Sequence, residues 1–419
     1  MRQMKDSGVE WIGEIPLDWD VTTYRRLLKR RKEYDDKEKQ VLSLTVQGVK
    51  QKNESYGKMA EDFTGHQIVK KDDLVFTPRD FDATPILSGI SPCDGCISNL
   101  YFVLYPHDTT KIHLPFYNFF MWGVKWGGDI WRKLSYGMRF SYNFQQFGDL
   151  PTVLPPLETQ RRIADYLDEK CAKIDTIIAK QQEVIEKLKE YKLAVITEAV
   201  TKGLNPDVPM KDSGVEWIGE IPEHWETYRI ANLYDEISEN GNDELPILTV
   251  SINSGVSDRE LSDEESERVF VRSEDKSKYK RVQPGDLTYN MMRAWQGAFG
   301  AVRVDGMVSP AYIVARPKNN IKIDSRYIEY LMRTPIATEE MHRYSHGIAD
   351  FRLRLYWPQF KNIRICLPDH KEQVIIADFI DKKIRMIDST IEKITDKIYG
   401  ITEYKKALIY EVVTGKREV

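Results

Sequence analysis

The sequence predicts a mixed α/β (α+β) protein made of two similar domains, each followed by a long helix, and three observations carry that expectation. The thirteen residues Met4 to Pro16 recur without change as Met210 to Pro222. Behind each copy lie short apolar runs of strand character, and behind those a stretch of more than forty residues with a heptad pattern.

The duplication extends past the identical segment. Trp19 answers Trp225 at the same offset of 206, and Leu44-Thr45-Val46 answers Leu248-Thr249-Val250. Asp73-Leu74 then answers Asp286-Leu287, Tyr101 to Pro106 answers Tyr312 to Pro317, and Phe147, Pro155 and Gln160 answer Phe360, Pro368 and Gln373. Insertions change the offset but not the order. A period above 200 residues is too long for solenoid or propeller repeats. Each half is therefore a domain with an appendage, giving boundaries at 1–156, 157–209, 210–368 and 369–419.

In the first domain the strand-like segments are Gln40 to Val46, Asp73 to Thr77, Cys96 to Leu104 and Leu150 to Leu154, with a helix expected from Phe116 to Leu134. The second domain repeats the order: Leu245 to Ile252, Asp286 to Met291, Ala298 to Val304, Ala311 to Ala315, a helix from Ser325 to Arg343, then Asn362 to Leu367. Asn205-Pro206-Asp207-Val208-Pro209 joins the halves.

The appendages are the clearest elements. Neither Pro nor Gly occurs from Leu157 to Lys202, and Asp369 with Glu372 forms a candidate capping box before the second run. Seam positions step by four and three: Leu167, Cys171, Ile174, Ile178, Gln181, Ile185, Leu188, Lys192 and Val195. Adding 213 gives Ile380, Ile384, Ile387, Ile391, Ile394, Ile398, Ile401, Lys405 and Leu408. A 3.5-residue repeat held this long argues for a coiled coil, each helix being roughly 65 Å long at about 1.5 Å per residue.

Composition narrows the function classes. The 419 residues carry 61 Lys+Arg against 65 Asp+Glu, a net charge of -4, which excludes a polybasic sponge for nucleic acid or anionic membrane. With 41% apolar content, a mean hydropathy of -0.49 and no apolar run of spanning length, a folded protein outside the membrane is expected. Four cysteines and no leader-like start point to the cytoplasm.

No Gly-x-x-x-x-Gly-Lys-Ser/Thr phosphate loop is present, nor the Asn/Asp-Pro-Pro-aromatic signature of an amino-methyltransferase, nor a Gly-x-Ser-x-Gly elbow. Cys93 and Cys96 lack a second pair of metal ligands, and His342 and His346 lack an intervening glutamate, so no cofactor or metal site is assigned. These absences favour a binding protein.

The binding signal lies where the copies disagree. Thr77 to Asp82 stands against Tyr289 to Gln296, and Met138 to Gln146 against Ile348 to Gln359, although the flanking frames match. Arg, Asn and Gln read purine edges through paired hydrogen bonds. The candidates are Arg79, Arg139 and Asn143 in the first copy and Arg293, Gln296, Arg352 and Arg354 in the second. The alternative for each is a surface cation packed on a ring. The basic run from Arg25 to Lys32 has two readings as well, phosphate contacts or a solvated helix face.

The Gly-Glu-Ile-Pro openings with Trp19 and Trp225, the helix starts Leu157-Glu158-Thr159-Gln160 and Lys371-Glu372-Gln373, and the Thr197-Glu198-Ala199-Val200-Thr201 ending resemble the specificity subunits of type I restriction-modification systems. The second copy departs from the pattern, with Pro368-Asp369-His370-Lys371 in place of Pro-Leu-Glu-Thr. The resemblance implies two target-recognition domains, each reading one part of a split double-stranded DNA site. It implies that the two helices pair as an antiparallel coiled coil with pseudo-twofold symmetry. It also implies docking of two modification subunits that carry S-adenosylmethionine and methylate adenine, with restriction (motor-nuclease) subunits using ATP and Mg. The rival from another class is a coiled-coil scaffold whose globular heads bind protein partners, consistent with the acidic stretch Asp258 to Glu267. A third, an enzyme with a solitary active site, lacks a supporting constellation.

Overall fold

A computed structural model describes residues 3–34, 40–52, 65–79, 85–128, 130–135, 141–242, 244–261, 278–347 and 353–419. The chain forms two compact units, one of residues 1–182 with 394–419 and one of residues 183–393. Each unit thus combines one domain, the start of the helix that follows it, and the end of the other long helix.

In the first unit the repeated segment makes a hairpin, Met4–Asp6 against Glu14–Pro16, whose turn has Gly8 and Gly13 at positive φ. A four-stranded antiparallel sheet follows, in the order Leu28–Arg30, Phe102–Pro106, Leu74–Phe76, Ser88–Ile90. Asp20–Thr23 pairs separately with Pro151–Leu154, so the strand entering the domain lies beside the strand leaving it. The second unit repeats the plan: hairpin Met210–Asp212 with Glu220–Pro222, sheet Tyr234–Ile237, Tyr312–Pro317, Leu287–Asn290, Phe299–Ala301, and the pair Glu226–Arg229 with Arg364–Leu367.

Several expected elements are shorter or divided. Cys96 to Leu104 splits into Gly95–Ile97 and Phe102–Pro106, which belong to different sheets. The helix expected over Phe116 to Leu134 runs Leu114–Trp126 and resumes as Ile130–Lys133, because Gly127 and Gly128 interrupt it. Ser325 to Arg343 is two helices, Ser325–Met332 and Pro335–Arg343, the second capped by Thr334. Of Leu245 to Ile252 only Val250–Ser251 is strand.

The first long helix spans Leu157–Lys202 and the second His370–Val413. Within the first unit, Leu167, Cys171 and Ile174 share a core with Leu408, Ile409, Val412 and Val413, so the start of one helix lies along the end of the other. Within the second unit, Ala199 and Val200 share a core with Ile376, Ala377 and Ile380. The pairing is antiparallel. Two seam lysines fix its register: Lys405 Nζ lies 2.6 Å from an oxygen of Asp175, and Lys192 Nζ lies 2.7 Å from Asp388. The two bridges are the same pair shifted by 213 residues. Such half-exposed pairs contribute little energy, of order 0–1 kcal/mol, and act by selecting one alignment over its neighbours.

Each helix is clamped at its start by a matched glutamine. Buried Gln160 donates to the carbonyls of Pro155 (2.8 Å) and Lys111 (2.9 Å) and accepts from the His113 amide (2.9 Å). Gln373 donates to Pro368 (2.9 Å) and accepts from the Asp324 amide (3.0 Å). Asp369 caps the Glu372 amide at 2.9 Å, but the Glu372 carboxylate turns to Trp225 Nε1 (3.3 Å) and His224 Nε2 (2.8 Å) instead of completing a box. The helix ends close on the tryptophans: Gly203 packs on Trp225 and Gly415 on Trp19. Both indoles are buried in aromatic cores, edge-on to Tyr327 and Phe116 respectively.

Candidate nucleic-acid interface

In both units one backbone bond joins the two segments in which the copies differ most. The Tyr142 amide donates to the Pro78 carbonyl at 2.8 Å, and the Leu355 amide donates to the Met291 carbonyl at 2.8 Å. The two bonds are equivalent under a shift of 213 residues. A common frame therefore holds unlike chemistry side by side.

In the first unit the strand Leu74–Phe76 delivers Pro78 and Arg79 to the sheet's end. The second segment is fixed by the short helix Phe144–Asp149, whose Phe147 is buried against Tyr24 (4.8 Å between ring centroids) and Phe76 (4.9 Å). Between them lies an open hollow of about 560 Å³ whose lining includes Arg30, Arg79, Asn99, Phe102, Asn143 and Gln146. The structure thus brings Arg79 and Asn143 together. Asn143 is also a capping residue: its Oδ1 accepts from the Gln146 amide at 2.8 Å, and Gln146 Oε1 accepts from the Asn143 amide at 2.9 Å. Among the described residues Nδ2 has no partner, and it is free to meet a ligand. The Asn-x-x-Gln spacing of this box was already visible in the sequence.

In the second unit Leu287–Asn290 runs into a turn held by Asn290 Oδ1, which accepts from the Met292 amide at 3.0 Å, and then into the single turn Ala294–Gln296 closed by Gly297 at φ 94°. Arg293 is half-buried and Gln296 exposed. Arg354 exchanges two backbone bonds of 3.0 Å with His346, its exposed guanidinium lying 3.5 Å from the Tyr356 hydroxyl. The Leu355–Met291 bond brings this segment beside the Arg293 turn. Arg139 and Arg352 lie outside the described residues, as does the acidic stretch from residue 262 onward.

The basic run from Arg25 to Lys32 divides by side chain. Arg25 pairs with Asp149, and Arg31 is buried with both arms on Asp73 (2.9 and 3.1 Å) and a third bond to Glu33 (3.0 Å). Those carboxylates raise the Arg31 pKa above its ordinary value. Arg26, Lys29 and Lys32 are exposed, and Arg30 turns into the hollow over the ring of Phe102 at 4.6 Å. Burial lowers the Arg30 pKa from the usual arginine value. Sequence reasoning left Arg30 out of the base-reading candidates because nothing local distinguishes it from its neighbours. Cys93 is half-buried and Cys96 buried in a strand, and no cluster of three metal-ligating side chains occurs among the described residues.

Two heads on one plan, with matched frames, unlike loops and helices paired within each unit, define a duplicated two-headed architecture. Residues 217–399 match the family described as the type I restriction modification DNA specificity domain. The chain is 27% identical over 292 residues to the type I restriction enzyme MjaVIII specificity subunit of Methanocaldococcus jannaschii, covering 65% of this chain and 63% of that protein. It is 22% identical over 275 residues to the EcoBI specificity subunit of Escherichia coli, covering 63% and 57%. The chain spans about three fifths of the length of these relatives. The fold resembles that of the HsdS subunit from Thermoanaerobacter tengcongensis, with a TM-score of 0.52 and 13% identity over 96% of this chain and 98% of that one. It also resembles a chain from a study of complex assembly and conformational transition of the type I R-M system, with a TM-score of 0.66 and 11% identity over 96% and 99%. The match to the specificity-domain family covers residues 217–399, and over nearly its whole length the chain shares the fold of these two solved structures.

Proposed function

We propose that this chain is the non-catalytic, sequence-reading subunit of a type I restriction-modification complex. Residues 1–156 and 210–368 act as target-recognition domains, each reading one part of a bipartite double-stranded DNA site. The helices in 157–209 and 369–419 space them and dock two modification subunits. Those subunits bring S-adenosylmethionine and adenine methylation, and restriction subunits bring ATP and Mg, so this chain holds no cofactor of its own. The setting is the cytoplasm, and no helix among the described residues is long and apolar enough to cross a membrane.

The observation that carries this reading is the equivalent backbone bond, Tyr142 to Pro78 and Leu355 to Met291, which sets the divergent loops together on an otherwise repeated frame. Base reading needs rigid placement of a few polar side chains, and changing those while keeping the frame changes the sequence read. In this role Arg79, Arg139 and Asn143 serve one half-site, and Arg293, Gln296, Arg352 and Arg354 the other. A net charge of -4 gives the chain few counterions to displace, so affinity depends on surfaces supplied by its partners. The test is to purify the chain alone and with its modification subunits, then measure duplex binding and transfer of labelled methyl groups. The expected result is weak binding without turnover for the chain alone, and tight binding with methylation for the complex. Turnover by the chain alone, or a complex indifferent to DNA, refutes the proposal.

A further inference from the structure

We propose that Arg30 reads a guanine in the half-site of the first unit, presenting its planar fork of donors to the adjacent N7 and O6 acceptors of that base. The inference rests on the DNA-recognition reading above and adds a residue to it.

Three observations lead there. Arg30 differs from the other arginines of its run in what holds it: Arg25 and Arg31 are spent on carboxylates, whereas among the described residues no carboxylate pairs with Arg30. Its guanidinium lies on the Phe102 ring at 4.6 Å, with Nε enclosed and without a hydrogen-bond partner among the described residues. Contact with the ring restricts the guanidinium's freedom, as it does for a cation held over an aromatic face. Finally, the same hollow is lined by Arg79 and by Asn143, whose Nδ2 has no partner among the described residues.

Phosphate is the other polyanionic acceptor on a duplex, and the placement argues against it. Contacts to phosphate need only a mobile exposed cation, and Arg26, Lys29 and Lys32 offer three of those nearby. Enclosing a charge costs free energy, and restricting its freedom adds only directional selectivity, which matters for a base edge with two adjacent acceptors. The second unit makes a useful contrast. The positions answering Arg30 and Phe102 are Glu236 and Ile313, so the two heads differ in charge at this point and are expected to select different bases there.

The experiment uses the full chain assembled with its modification subunits and a DNA library randomised across both half-sites. Arg30→Lys keeps the charge and loses the fork; Arg30→Gln substitutes an edge that suits adenine. Arg30→Lys is expected to lower selection for guanine at one position of one half-site by roughly 5- to 150-fold, the range of a bidentate pair. Arg30→Gln is expected to shift that position toward adenine. The other half-site and the thermal midpoint should stay at parental values. Uniform weakening on all sequences would assign Arg30 to phosphate, and unchanged base selection in a complex that still reads two half-sites would remove it from the interface; either overturns the inference alone. A parent complex with no two-part selection would overturn the DNA reading and this assignment together.

Discussion

Asp73 and Asp286 occupy matched positions, yet each is neutralised by an arginine from a different strand. Arg31 follows Leu28–Arg30 and lies over the Tyr105 ring at 4.8 Å. In the second unit the arginine has moved to the position of that ring: Arg316, on Tyr312–Pro317, holds Asp286 at 2.8 and 2.9 Å. The matched aspartates are legible in the sequence; the exchanged arginine is not, because its partner lies across the sheet. Asp286→Ala would leave Arg316, which is 19% exposed, with Glu239 at 2.7 Å but without its two bonds to Asp286, and a loss of about 1–3 kcal/mol in urea unfolding is expected. A loss within experimental error would mean that the pair contributes nothing. Glu329 is a second residue-scale test. Burial raises its pKa, while Arg333 (3.3 Å), Arg303 (3.5 Å) and the Ala301 amide (3.3 Å) oppose the rise. A raised folded-state pKa means that the folded protein keeps a proton the unfolded chain has released, so stability falls as pH climbs from roughly 4.3 through the raised value. Relative to Glu329→Gln, the parent should lose ground across that window. A difference independent of pH would refute this assignment. The base-reading candidates were only half legible. Asn143 was recognisable by type and its capping duty by the Asn-x-x-Gln spacing, but the enclosure of Arg30 depends on Phe102, which the chain supplies from far away.

At the scale of elements the long helices were the most legible part, since a heptad repeat is written in consecutive residues. The helix over Phe116 to Leu134 was misread where a distant segment decides. Gly123 and Gly127 admit the end of the second long helix, and a Cβ on Gly127 would run into the Tyr410 ring. Gly127→Ala is therefore expected to cost about 1–3 kcal/mol, although alanine is the better helix former. Stabilisation instead would show that this approach is not close. The glutamine clamps predict a similar cost: Gln160→Ala leaves the His113 amide and two carbonyls without their partner, and about 1–3 kcal/mol should be lost in denaturant unfolding. A cost near zero would leave the helix start held by its seam alone.

For the whole molecule, the duplication was legible from the repeated thirteen residues, whereas the exchange of helix ends follows only from the antiparallel pairing that the resemblance implies. The sequence places each helix with the domain before it, whereas the compact units give the last residues of each to the other domain, where Val200 and Val413 are buried. Apolar periodicity reports that a face is covered without reporting by what. The central claim is that each head selects its own short sequence independently of the other. The most direct measurement is selection of bound duplexes from a random library by the assembled complex, run with the parent chain and with a chain whose residues 4–154 are replaced by a second copy of 210–367. The parent should select two different motifs at one fixed separation, and the exchanged chain should select the second unit's motif twice. A contiguous motif from the parent, or the parental pair of motifs from the exchanged chain, would contradict the account.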